Sequence, residues 1–350
     1  MGVTDVSIIN YSQVKPKQIE DFLLSMSNSM LYHSISYLNF ISDLLHVENT
    51  NHLVAVNSKG EVVGFLPLFI KQGKYGKVIN SSPFYGSNGG EISSSLEVSD
   101  LLVKEYNNMI IQQDVASATW VENLFSERDV TKLVVHSITD FRIGQYTKLE
   151  LADSSEEALM AIFHYKTRNM VRKAMKSGFS VNIENTNFDF LMNTHFENLS
   201  AIGGKAKPKE FFEKIIKHFV PDKDYKIWVA RYNGEPVGAL LLFYYRDTVE
   251  YYTPVVKEDF RDKQPLSLLI YEAMKAAFQA GFKVWNWGGT WTSQGGVYTF
   301  KKRWGTLDKH YNYFIQVNKN EIYGSTKEIL LNEYDNFFVV PFNTLNPQVI

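Results

Sequence analysis

VAVNSKGEVVGFL, residues 54–66, and VARYNGEPVGAL, residues 229–240, are the two stretches on which the reading of the fold turns. Each is a β-prone apolar run, a glycine-bearing turn, a glutamate, and a second apolar run that carries Val-Gly. Alternating runs separated by turn residues make a β-hairpin. Gly60 and Gly234 supply the positive φ that such turns favour. Working outward, each hairpin leads into a further strand, residues 77–86 in the first case and 248–256 in the second. A helix follows each. Residues 96–113 place Leu101, Leu102, Tyr106, Met109 and Ile110 at helical spacing, and residues 265–280 do the same with Leu268, Leu269, Tyr271, Ala273, Met274, Ala277 and Phe278. Strands at 116–121 and 283–287 close the two series. The repeated order is helix, helix, two or three antiparallel strands, helix, strand. It predicts a duplicated α/β unit, a mixed sheet with helices on its faces.

The boundary is read near residue 150, giving domains 1–150 and 151–350. A strand at 146–151 is followed by DSSEEALMAIF, a helix start capped by Asp153 or Ser154. No low-complexity or Pro-rich linker separates the halves, which predicts domains packed together. Two domains also suit the length of 350 residues.

Composition narrows the chemistry. A net charge of −2 gives no global field for nonspecific nucleic-acid binding, so DNA is not an expected partner. The absence of cysteine excludes disulfides, thiolate zinc sites and a thiol nucleophile. The eight histidines fall in no zinc-binding spacing, and no metal is expected. The N-terminal stretch lacks a signal-peptide pattern. The longest apolar runs, such as Ala239 to Tyr245, fall far short of the roughly 20 residues that span a bilayer. The expectation is a cytoplasmic protein with no transmembrane segment, its oligomeric state left open.

HYKTRNMVRKAMKSGFSV (164–181) and WNWGGTWTSQGGVYTFKKRWG (285–305) carry a resemblance. A basic helix, a Gly-Glu-x-Val hairpin, a Pro-x-x-Leu helix and the segment Phe300-Lys301-Lys302-Arg303-Trp304-Gly305 recur in this order. Together they resemble the FemAB family and its relatives in the GNAT-like acyltransferase superfamily. The resemblance implies two tandem GNAT-like domains. It implies transfer of an acyl or aminoacyl group to an amine of a cell-envelope precursor of peptidoglycan or polysaccharide. The donor would be acyl-CoA or aminoacyl-tRNA, with no tightly bound cofactor, and the acceptor nucleotide-linked or lipid-linked. No sustained heptad run is present, so the chain resembles the armless, FemX-like type. Two stretches depart from the pattern. Arg261 to Leu266 lacks the glycines of a pyrophosphate loop, and Pro265 removes a backbone donor there. Residues 36–45 lack the lysine that cross-bridge enzymes place on that helix.

The resemblance assigns Lys301 the stabilisation of the oxyanion that forms as the carbonyl is attacked, a role favoured by a fixed cation. Tyr252 is the candidate for protonating the leaving group; the alternative is a core aromatic. Trp287 and Trp291, around the Gly288-Gly289 pair, and Trp304 are candidate cleft residues, against the alternative of core tryptophans at a turn. Arg168 and Arg172, at i and i+4, share a helix face and can hold phosphate, as can Lys205 and Lys207 in GGKAKPK. A solvated face is the alternative. Tyr85 and Asn88 lie in a turn-rich stretch where FemAB relatives bind the acceptor. Two other functions stay open: a catalytically inert GNAT-like nucleotide- or tRNA-binding module in a biosynthetic complex, and a metal-dependent glycosyltransferase resting on Asp222-Lys223-Asp224.

Overall fold

A computed structural model describes residues 6–48, 51–84, 88–151, 155–291 and 293–346. The chain forms two compact units, residues 1–142 with 310–350, and residues 143–309. The division into contiguous halves 1–150 and 151–350 is therefore corrected. The boundary falls between Arg142 and Ile143, and the chain beyond Lys309 returns to the first unit.

The first unit contains β1 (Ser7–Asn10), α1 (Pro16–Ser25), α2 (Ile35–Leu45), β2 (Leu53–Val56), β3 (Val62–Leu66), β4 (Phe69–Gly73), β5 (Gly76–Asn80), β6 (Ile92–Ser93), α3 (Leu96–Ile110) and β7 (Val115–Val121). Strands β1, β2, β3 and β6 form one sheet in that order. A second set runs β4, β5, β7. The helix face of Val98, Leu102, Tyr106 and Ile110 is buried in the core of this unit, where Tyr106 meets Trp120 edge-on at 5.0 Å. The chain leaves through β8 (Ile138–Lys148), which straddles the boundary.

The second unit adds α4 (Glu156–Ile162), α5 (Tyr165–Met175), β9 (Phe179–Ile183), α6 (Phe188–Ser200), α7 (Lys209–His218), β10 (Tyr225–Tyr232), β11 (Glu235–Tyr245), β12 (Thr248–Val256), α8 (Pro265–Gln279), β13 (Val284–Thr290) and α9 (Gly295–Lys302). Its sheet runs β8, β13, β12, β11, β10, β9. The β10–β11 hairpin turns at Asn233-Gly234, both at positive φ, as a two-residue turn matched to strand twist requires. Helix α8 buries Leu268, Leu269, Ile270, Ala273, Met274 and Ala277 in the core cluster that also holds Leu240 and Leu242 of β11. Helix α4 is capped by Ser155, whose side chain accepts from the Ala158 N–H. The caps expected at Asp153 or Ser154 lie outside the described residues.

The chain returns through β14 (Leu307–Val317) to the first unit, where Tyr313–Val317 pairs antiparallel with β7, and ends with α10 (Lys327–Glu333). This tail is bound to the first unit by backbone groups: Asn80 Nδ2 donates to the Phe338 carbonyl at 2.9 Å, and Phe338 N–H donates to Asn80 Oδ1 at 2.7 Å.

The duplication is visible in the order of elements and in the central pairing. In each unit a parallel pair is joined through a helix: β5 with β7 across α3, and β12 with β13 across α8. The copies differ in how their strands are shared between sheets. In the second unit the hairpin β10–β11 and the strand β12 belong to one sheet. In the first, Pro67 follows the last residue of β3, and the hairpin β2–β3 and the pair β4–β5 go to different sheets.

Candidate active site

Strands β12 and β13 run parallel only from Thr248 opposite Val284 to Glu250 opposite Asn286. Both continue further, β12 along β11 to Val256 and β13 along β8 to Thr290. They therefore part, and a slot opens in the sheet. The buried pair Glu250 and Asn286 marks the point of separation, with Asn286 Nδ2 donating to Glu250 Oε2 at 2.9 Å. Just beyond it β13 bulges between Asn286 and Gly289. Such bulges re-aim backbone groups and concentrate beside active sites. Gly288 sits in the bulge at φ 72°, a conformation that favours glycine. Its N–H donates to Asn286 Oδ1 at 3.0 Å.

Lys301, in the last turn of α9, lies against the stretch of β13 that has lost its β12 partner. Its side-chain nitrogen donates to Thr290 Oγ1 at 2.9 Å and reaches the carbonyls of Gly289 at 3.3 Å and Gly288 at 3.4 Å. The residue is 7% exposed. Among the described residues no carboxylate pairs with it. Burial without a counter-charge lowers the ammonium from its usual range to about 8. The neighbouring Lys302 faces outward and pairs with Asp308 at 2.9 Å.

The tryptophans divide. Trp287 and Trp304 are buried, their rings 5.8 Å apart, with Trp304 also edge-on to Phe163 at 5.0 Å. They form the floor behind Lys301. Trp287 Nε1 donates to Thr147 Oγ1 at 2.9 Å, and Thr147 Oγ1 donates to the Trp304 carbonyl at 3.1 Å. Trp291 is different, half exposed just past the end of β13. Gly305, at φ 74°, closes this corner, and a Cβ there would meet the Ile162 carbonyl at 2.6 Å.

Alternation along β12 separates its tyrosines. Tyr251 packs on Trp287 at 4.8 Å, on the Lys301 side. Tyr252 stacks on Phe211 at 5.8 Å and meets Phe243 edge-on at 4.9 Å. Tyr252 thus stands on the opposite side of β12 from Tyr251 and is not brought to Lys301. On that other side it meets a second desolvated lysine. Lys207 lies over the rings of Tyr252 and Phe211 at 5.5 and 5.6 Å, and burial lowers its ammonium to about 8. His195 accepts from the Lys207 N–H at 3.0 Å and is held to about 4 by burial and by the Lys207 charge.

Arg168 and Arg172 line a cavity of about 610 Å³ with Glu156, Glu157, Met160 and Tyr271. Arg168 donates to the Phe163 carbonyl, and Arg172 is exposed. Lys205 is exposed in the segment between α6 and α7. Asn88 belongs to the first unit and is fully buried, and among the described residues neither of its side-chain polar atoms has a hydrogen-bond partner. Tyr85 lies outside the described residues. Asp224 Oδ2 accepts from the Val220 N–H at 2.9 Å and Asp222 sits at φ 65°, so Asp222-Lys223-Asp224 is a turn. Among the described residues no group of three potential ligands gathers for a metal, and no helix is long and apolar enough to cross a membrane.

Sequence reasoning missed two residues here: Gln145, which stands with Thr290 behind Lys301, and Asn198 of α6, which occupies the free edge of β12. Thr290 lay within the stretch from Trp285 to Trp291 that the sequence marks as cleft-lining. Asn198 Nδ2 donates to the Val256 carbonyl at 2.9 Å, and Val256 N–H donates to Asn198 Oδ1 at 3.1 Å. Beside it a cavity of about 240 Å³ opens at the N-terminus of α8, lined by Asn198, Val256, Arg261, Gln264 and Pro265. Neither Gln145 nor Asn198 carried a local signal.

Residues 163–302 match the model of the acetyltransferase (GNAT) domain family. No curated protein matches the chain. Among solved structures it is similar to FemX, with a TM-score of 0.71 at 15% identity over 88% of this chain and 97% of that one. It is also similar to a tandem GNAT protein from the clavulanic acid biosynthesis pathway, TM-score 0.52 at 12% identity over 89% and 98%. L-PGS from Bacillus licheniformis aligns at 0.51 and 14% identity over 91% and 95%.

Proposed function

We propose, from the premise that this chain carries a GNAT acetyltransferase domain and has the tandem GNAT-like fold shared with FemX, that it transfers an aminoacyl or acyl group to an amine of a cell-envelope precursor. The observation that carries the proposal is Lys301: a buried ammonium without a carboxylate, held where β12 and β13 part. A neutral acceptor amine attacks the donor carbonyl and a C–N bond forms. Negative charge gathers on the carbonyl oxygen, and Lys301 stabilises it more than it stabilises the neutral ground state. The bond to the leaving group then breaks, and the proton lost by the amine ends on the leaving oxygen or sulfur.

Three features favour an aminoacyl ester over a CoA thioester as donor. The Val256 backbone groups on the free β12 edge are already taken by Asn198. Pro254, two residues back on that edge, has no N–H. Helix α8 opens with Gln264-Pro265 and no glycine, a poor cradle for a pyrophosphate. The partners proposed are thus a charged tRNA as donor and a nucleotide-linked or lipid-linked acceptor, in the cytoplasm where charged tRNA is found. The envelope acceptor is supported by the fold shared with FemX and L-PGS.

The test supplies the protein with aminoacyl-tRNA pools or acetyl-CoA, each with amine-bearing envelope precursors, and weighs the products by mass spectrometry. The expected result is an amide product from charged tRNA at a rate at least tenfold above that with acetyl-CoA. Absence of any amide product from either donor sinks the acyltransfer reading. Efficient use of acetyl-CoA alone overturns the donor assignment.

A further inference from the structure

Behind Lys301 a line of buried polar side chains crosses from β13 to β8. Thr290 Oγ1 accepts from Lys301 at 2.9 Å and lies 3.2 Å from Gln145 Oε1. Gln145 Nε2 in turn reaches Thr306 Oγ1 and the Tyr298 carbonyl, each at 3.3 Å. Thr290, Gln145 and Thr306 are all buried. The direction of each bond follows from chemistry. An ammonium only donates, so the Thr290 hydroxyl accepts there and its own proton goes to Gln145 Oε1. That fixes the amide, with its nitrogen toward Thr306 and Tyr298. The order of acceptors runs away from the lysine and suits its charged form.

Resting on the reading of Lys301 given above, we infer that Thr290 and Gln145 are positioning residues that keep the Lys301 ammonium charged and fixed against the unpaired stretch of β13. The two glycine carbonyls lie at 3.3 and 3.4 Å, long enough for one N–H to serve both. Thr290 takes a second. The two long carbonyl contacts are the ones that a reacting carbonyl can replace.

The other titratable groups packed around this corner are already engaged or remote. Asp308 accepts from Tyr298 at 2.6 Å and from Lys302 at 2.9 Å, and the Gln145 side chain also donates to it, so this carboxylate stands at the far end of the chain from Lys301. Tyr251 packs through Trp287 and is held protonated by burial. Glu250 is tied to Asn286 at the strand separation. The chain from Lys301 through Thr290 to Gln145 is therefore the polar support that reaches the ammonium from β13 and β8.

The experiment compares Thr290→Val, Thr290→Ser and Gln145→Leu in the full chain, with Lys301→Ala as reference, by kcat, KM and the pH profile of kcat. Thr290→Val removes the acceptor and is expected to lower kcat about tenfold with KM within about twofold, as lost aim at the reacting carbonyl requires. It also weakens the charged form, so the alkaline fall in activity moves to lower pH. Thr290→Ser keeps the acceptor and restores both kcat and the profile. Gln145→Leu moves both in the same direction by less. Should Thr290→Val fail to fold, Gln145→Leu carries the test. A wild-type profile and kcat in the valine variant, or in Gln145→Leu if that alone folds, overturns the inference, as does a loss seen only in KM. If Lys301→Ala itself stays active, the reading of Lys301 falls first. If Lys301→Ala is inactive while Thr290→Val is normal, only the positioning role falls.

Discussion

Lys301→Ala is expected to cut kcat by about a hundredfold to a thousandfold, the usual loss when one oxyanion donor is removed, while Lys301→Met makes the folded protein more stable at pH 7. The two results have one cause. Burial lowers the ammonium from 10.5 to about 8, so the native state holds a proton less tightly than the unfolded chain does. Below pH 8 both states are charged and the native one carries the full cost, about 3 kcal/mol from the gap between the two values. Between pH 8 and 10.5 the native lysine gives up its proton first, and the cost fades. The stability advantage of the methionine variant is therefore largest below pH 8 and shrinks as pH rises through that window. Thermal melts of both proteins at pH 7 and pH 10 measure it. A methionine variant less stable than wild type at pH 7 means the burial does not strain the charge. A charge that costs stability where it stands is expected at a site that uses it.

Trp304→Ala is expected to cost about 3–5 kcal/mol of folding stability, the range for deleting a large buried aromatic side chain. Trp304 is fully buried and touches the rings of Trp287, Phe300 and Phe163. Its carbonyl also holds Thr147, which in turn holds the Trp287 indole. The cavity left behind lies three residues from Lys301, so kcat falls as well. Urea denaturation gives the stability change from the midpoint at constant slope. A cost below about 1 kcal/mol means that the surrounding rings refill the space and that Trp304 is not the keystone of this floor.

The hairpins, the long helices and the duplicated order were legible because each is local. Turn glycines at 60 and 234 and helical spacing at 268–278 need only neighbouring residues. The return of the tail to the first unit was not legible. It depends on β14 reaching β7 and on Asn80 reaching Phe338, more than 250 residues along the chain. No periodicity records such a pairing. In the site, Lys301 was found through its motif, but Gln145 was not, because nothing about a glutamine in a strand announces a partner 145 residues later. Tyr252, the candidate for protonating the leaving group, lies on the other side of β12 from Lys301. The strand alternation was read correctly, but the side of β12 facing Lys301 is settled by the packing of Tyr251 on Trp287, which a sequence does not display.

Because residues 310–346 complete the first unit, the second is threaded into the first as an insert. On the ribosome the first unit therefore cannot be completed before the second has been synthesised. All of residues 143–309 have been made before β14 exists, so the later unit can close on its own while the earlier one waits. During that wait β7 lacks the neighbour that β14 supplies and presents an open edge to any strand nearby. The tail that looks like an appendage in the sequence supplies the strand beside β7, and the first unit is complete only once that strand has been made.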